Sequence, residues 1–182
     1  MEMNRFLIER DPFDIAASLC DQHIVKMPLE ETQMLCTAMW HYSPKYACLN
    51  DLYKPVHQKH PCTLWAMENK SNYYFAWQLL DEMFKEYTRR YGKVHGSSKH
   101  KDALFYGARF IPEGKNTKHP QCFSGHDDCR TNEFYPLVAY RKFYAKTKMK
   151  MARYNKTDKI PDWLNYNFTF CPENNITLQL NS

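Results

Sequence analysis

The stretch "LCDQHIVKMPLEETQML", Leu19 to Leu35, decides how the chain is read. Ile15, Leu19, Val25, Leu35 and Trp40, in and around it, mark out a helix with a buried face. The same turns carry Asp21, Gln22, His23, Lys26, Glu30 and Gln33. On a helix, His23, Lys26, Glu30 and Gln33 share one face within about 80°. Pro28 interrupts them, because proline lacks the N–H that the helix ladder needs and its ring crowds the preceding turn. A kink or break is therefore expected at Pro28. It would place Glu30 in the first turn of a new helix, where free N–H groups favour a carboxylate.

Outward from this stretch, Asp11-Pro12 is a good helix start, an acceptor followed by a first-turn proline. The first helix should run from there to Trp40 and end before Ser43-Pro44. Residues 43–60 read as a loop. His60-Pro61 opens a second helical region through Trp65, Tyr73, Trp77, Leu80, Phe84 and Tyr87, with a break near Asn69–Ser71 and Gly92 as its cap. Residues 93–131 read as one long irregular loop. A third helix is expected over Glu133 to Ala152. A tail over 160–182 would be packed by Trp163, Tyr166 and Phe168. The expectation is an all-α single domain with three main helices. Only 5 glycines stand against 28 Phe, Trp and Tyr, which disfavours a turn-rich β fold.

No apolar run is long enough for a membrane span, and MEMNRFLIER has no signal-peptide core. Seven irregularly spaced cysteines read as reduced thiols, so a cytoplasmic monomer is expected, in a host cytoplasm if the chain is viral. The net charge of +5 is not evenly spread. Between Arg141 and Lys159 there are eight Lys or Arg and one acid, whereas residues 1–140 are balanced. Arg141, Lys142, Lys146, Lys148, Lys150 and Arg153 alternate with Tyr140, Phe143, Tyr144 and Tyr154. Cations for phosphates and rings for stacking point to nucleic acid. Arg89, Arg90, Lys93 and His95 would extend that surface. His119, Cys122, His126 and Cys129 lie within eleven residues, but their spacing fits no standard zinc finger, and no metal or other cofactor is assigned to them.

Leu19-Cys20-Asp21-Gln22-His23, with Glu30 seven residues on, resembles the N-terminal helix of the pyrimidine-dimer DNA glycosylases of phages and algal viruses. Fuller echoes of uncharacterised marine-phage proteins lie at Asp21–Met27, His60–Cys62 and Glu86–His95. The resemblance implies a compact helical enzyme on duplex DNA. It would cleave the glycosidic bond of a damaged pyrimidine and then nick the abasic strand. Glu30 would be the catalytic carboxylate, and His23 would hold substrate or backbone. Asp21, Gln22, Gln33, His60, Asn69 and Asn72 are candidates for the surrounding pocket.

The family's nucleophile is the α-amine of a small residue after the initiator Met, and here that residue is Glu2. Lys26, one turn from both His23 and Glu30, is the candidate substitute. Its alternative is a plain ion pair with Glu30. Water activated by Glu30 is a third route. Two other functions share these residues: glycosidic cleavage of a modified base, nucleoside or nucleotide, and non-enzymatic binding of DNA or a host component.

Overall fold

The computed structural model describes residues 4–165 and two short segments beyond them, 167–169 and 177–179. The protein is helical. Seven α-helices occur among the described residues: α1 Pro12–Ser18, α2 Asp21–Tyr42, α3 Pro44–Leu49, α4 Pro61–Glu68, α5 Lys70–Tyr91, α6 Lys101–Gly107 and α7 Leu137–Lys148. A short antiparallel pair, β1 Asn167–Thr169 and β2 Thr177–Gln179, follows. No helix among the described residues is long and apolar enough to cross a membrane.

The first helix breaks at Leu19–Cys20 and not at Pro28. Leu19 is extended at the end of α1, and α2 then runs for 22 residues with Pro28 inside it. Proline removes one ladder bond from the 24–28 turn, but the rest of α2 is anchored by its buried face against α4 and α5. Thr32 returns its hydroxyl to the Pro28 carbonyl at 2.7 Å. Glu30 is thus mid-helix, and the dipole argument for its charge does not hold.

The Asn69 break and the Gly92 cap are found where the sequence places them. Asn69 accepts the Asn72 N–H, and Gly92 closes α5 with φ +63°. Two other expectations change. Residues 43–60 contain α3, again begun by a first-turn proline. Residues 93–131 hold α6 and three short 3₁₀ turns, anchored by buried Leu104, Ala108, Ile111 and Phe123. The last long helix is shorter than expected and starts after Pro136.

One core unites these pieces. Ile15, Leu19, Ile24, Leu35, Met39, Trp65, Tyr73, Leu80, Phe84, Leu104, Tyr140 and Tyr144 belong to a single buried cluster. The buried Trp163 joins it and donates from its indole to Glu9 at 2.7 Å. Tyr166 and the Phe168 side chain lie outside the described residues.

The α1–α2 break is held by Arg90, which the sequence suggests as a DNA contact. Its guanidinium is turned inward and fully buried. It donates to the Ala17 and Leu19 carbonyls at 2.9 and 2.8 Å, to Asp21 at 3.1 Å and to Glu86 at 2.6 Å. Asp21 also accepts the N–H groups of Asn155 and Lys156 at 2.7 and 3.1 Å. The Asp21 N–H donates to the Arg153 carbonyl at 2.7 Å. Gln22 donates to Met151 and accepts from Arg153. The segment after α7 therefore takes up one orphan donor of the α2 N-terminus, the Asp21 N–H, and in return gives its own N–H groups to the Asp21 and Gln22 side chains.

Candidate functional site

α2 presents His23, Lys26 and Glu30 along one strip. Lys26 Nζ lies 2.5 Å from Glu30 Oε1, one helical turn away. The lysine side chain is 30% exposed and the glutamate 10%. The other carboxylate oxygen, Glu30 Oε2, is buried with no hydrogen-bond partner. An unsatisfied buried acceptor costs about 1–3 kcal/mol, and such costs gather at working sites.

His23, one turn before Lys26, is buried and stacked on Phe6 at 4.8 Å. Burial, reinforced by Lys148 and Lys26, pushes its imidazole down to about 3. It is therefore neutral at ordinary pH. Tyr144 holds the ring from its Nδ1 side. The tyrosine oxygen accepts the Cys20 N–H at 3.1 Å and lies 2.7 Å from His23 Nδ1. The contact holds the ring in place between Phe6 and Tyr144.

Basic side chains surround the start of α2. Lys148 sits over Phe6 and Phe143 at 5.9 and 5.5 Å, and Lys150 and Arg153 are exposed on the segment that crosses Gln22. Arg89 pairs with Glu86 and reaches Thr157, while Lys93 is exposed. His95 touches the Val25 carbonyl at 3.2 Å and packs between Phe84 and Tyr87. Part of the basic helix is already neutralised: Arg141 pairs with Glu9, and Lys142 and Lys146 face Asp128. The cationic surface is narrower than the sequence suggests and is centred on residues 148–153.

The remaining pocket candidates are used elsewhere. His60 caps α4 by accepting the Cys62 N–H. Asn72 holds the 112–117 loop through Thr117 and bonds the Trp65 carbonyl. Gln33 is half-buried on α2. An open cleft of about 570 Å³ lies between His41, Tyr42, Leu64, Trp65, Met67 and Pro120. It sits at the far end of α2, roughly 16 Å along the axis from Glu30, and is separate from the strip.

Sequence reasoning missed a second polar centre. Glu31, one position round the helix, is buried and clamps Arg5 in a two-pronged pair at 2.5 and 2.8 Å. His119 lies 3.4 Å from the same guanidinium, and burial and Arg5 hold its imidazole well below the usual histidine value. The one signal available was an arginine preceding the apolar run Phe6-Leu7-Ile8. The histidines and cysteines of 119–129 are not gathered together. His119 faces Arg5, His126 rests on Phe143, and Cys122 meets Cys62.

No protein-family model matches the chain, and neither does any curated protein or solved structure.

Proposed function

We propose that the protein is a DNA glycosylase that cleaves the N-glycosidic bond of damaged pyrimidines in duplex DNA, with Lys26 as nucleophile. The observation that carries this reading is the Lys26–Glu30 pair, with one carboxylate oxygen 2.5 Å from the amine and the other buried and unpartnered.

The division of labour follows from that geometry. Glu30 Oε1 is within reach to take a proton from Lys26 Nζ, giving a neutral amine. The amine attacks C1′ as the glycosidic electron pair leaves with the base, which takes up a proton. The sugar gains positive character in the transition state, and Glu30 Oε2 supplies a fixed negative charge for it. Ring opening then gives an imine between Lys26 and C1′, from which strand cleavage proceeds. His23, held neutral by burial, lies one turn before Lys26 and adds no charge of its own to the strip. Lys148, Lys150 and Arg153 attract the phosphates, and the lesion nucleotide must leave the stack to reach Lys26.

Duplex DNA with a thymine dimer, an abasic site or no lesion is incubated with the protein and borohydride. Hydride reduction of the imine gives a stable covalent adduct. The reading expects adduct in the wild type, none in Lys26→Ala, and no base release in Glu30→Gln. Base release without trapping reassigns the nucleophile to water. Release from free nucleotides alone makes the substrate a nucleotide, and salt-sensitive DNA binding without turnover overturns the enzymatic reading.

A further inference from the structure

We propose that His60, Cys62 and Cys122 form a binding site for Zn²⁺, apart from the Lys26–Glu30 strip. Among the described residues, their three ligand atoms lie within 4.8 Å of one another. The two sulfurs are 3.5 Å apart. Zn–S bonds of about 2.3 Å in a tetrahedron set neighbouring sulfurs roughly 3.8 Å apart, so the pair is within a few tenths of an ångström of a ligating arrangement. A disulfide requires about 2.05 Å, a much larger closure. Two thiols and an imidazole are the donor types that favour Zn²⁺ over hard cations.

The surroundings fit a built site. Cys62 is in the first turn of α4 and His60 is the residue that caps it, so the helix start fixes both. Cys122 arrives from a loop 60 residues later. Met34 on α2 is fully buried and packs with both cysteines, making the cluster rich in sulfur. Arg5 donates to the Cys62 carbonyl at 3.4 Å and fixes the backbone behind the ligand. Only His60 is partly exposed, which gives the ion a route in. Binding converts two thiols to thiolates and releases two protons to solvent. The ion and two thiolates are together neutral, so the buried centre carries no uncompensated charge. A bound ion would tie the 117–123 loop to α4.

The test uses the full chain, purified reduced and treated with chelator. Zn²⁺ is titrated against a chromophoric competitor, and Co²⁺ is used as an absorbing substitute. Expected are one saturable equivalent, uptake of about two base equivalents at constant pH, a thiolate-to-cobalt absorption band and a Zn²⁺-dependent rise in Tm. His60→Asn retains a side-chain cap for α4 but removes the imidazole. It should weaken Zn²⁺ by roughly tenfold or more while the metal-free Tm stays near wild type. Cys122→Ser should abolish the cobalt band, and if that variant does not fold, His60→Asn alone decides. Absence of saturable binding, a cobalt spectrum without thiolate absorption, or unchanged affinity in His60→Asn overturns the proposal. So does a Cys62–Cys122 disulfide, seen as a mass loss of two hydrogens, that forms in air without metal uptake.

Discussion

Arg90→Met separates a structural arginine from a DNA-binding one. Methionine keeps much of the length and the apolar stem but loses all the donors. The Ala17 and Leu19 carbonyls, which received bonds of 2.9 and 2.8 Å, are then left without that donor at the end of α1. Asp21 keeps its two backbone N–H donors and Glu86 keeps Arg89, so neither carboxylate is abandoned. A buried carbonyl left without its donor costs about 1–3 kcal/mol, so the two together cost about 2–6 kcal/mol. In a chain of 182 residues each kcal/mol moves Tm by about 2–4 °C, so Tm should fall by about 4–24 °C. The loss is read by urea unfolding at pH 7. It also has an acid signature. Burial raises the Glu86 carboxyl, but Arg89 and Arg90 outweigh that and hold it below the usual value of 4.5. Its contribution is therefore present above pH 4.5 and lost as the pH falls below, with a smaller loss in Arg90→Met. DNA affinity measured against salt provides the contrast. Exposed Lys150→Ala should reduce the slope of log K against log salt by about one unit without changing stability, whereas folded Arg90→Met should keep the wild-type slope. A variant within about 1 kcal/mol of wild type, or one that is stable but has lost a unit of salt slope, refutes the argument.

Two further outcomes are expected. The unfolded chain protonates His23 near 6.5 and the folded protein only near 3, so its contribution is full above pH 6.5 and is lost as pH falls between these values. That is about 2 kcal/mol at pH 5, checked by urea unfolding at two pH values and by NMR of the imidazole; a folded-state midpoint near 6.5 contradicts it. Gly114→Ala would set a Cβ 2.6 Å from Asn69 Cβ, at the α4–α5 junction. Overpacking of this kind should cost about 1–3 kcal/mol in thermal or urea unfolding, and an unchanged Tm would show that the 112–117 loop shifts freely.

The helical class, the caps at Asp11 and Gly92 and the break near Asn69 were legible because each is a local matter of donors, acceptors and φ. The Lys26–Glu30 pair was legible for the same reason, being one helical turn long. What escaped the sequence depends on contacts between distant residues. Pro28 was read as a breaker because a local rule cannot weigh a long helix anchored on its buried face. Arg90 looked like a surface cation until Ala17, Leu19 and Asp21 came to it from 70 residues away. Cys62 and Cys122 carry no mutual spacing signal, since only folding brings their sulfurs together.

The seal on α2 has a consequence for the order of events during synthesis. Asp21 waits for Asn155, a partner made 134 residues later. At 5–20 residues per second that delay is about 7–27 s. Through that interval the start of α2 lacks the N–H groups that will fill its carboxylate, and the cationic residues 148–153 do not yet exist beside it. The nascent chain can build its apolar helices early, but the Lys26–Glu30 strip meets its cationic neighbours only near the end of translation. A chain halted before residue 148 would thus lack both the seal on the start of α2 and the cationic segment beside it.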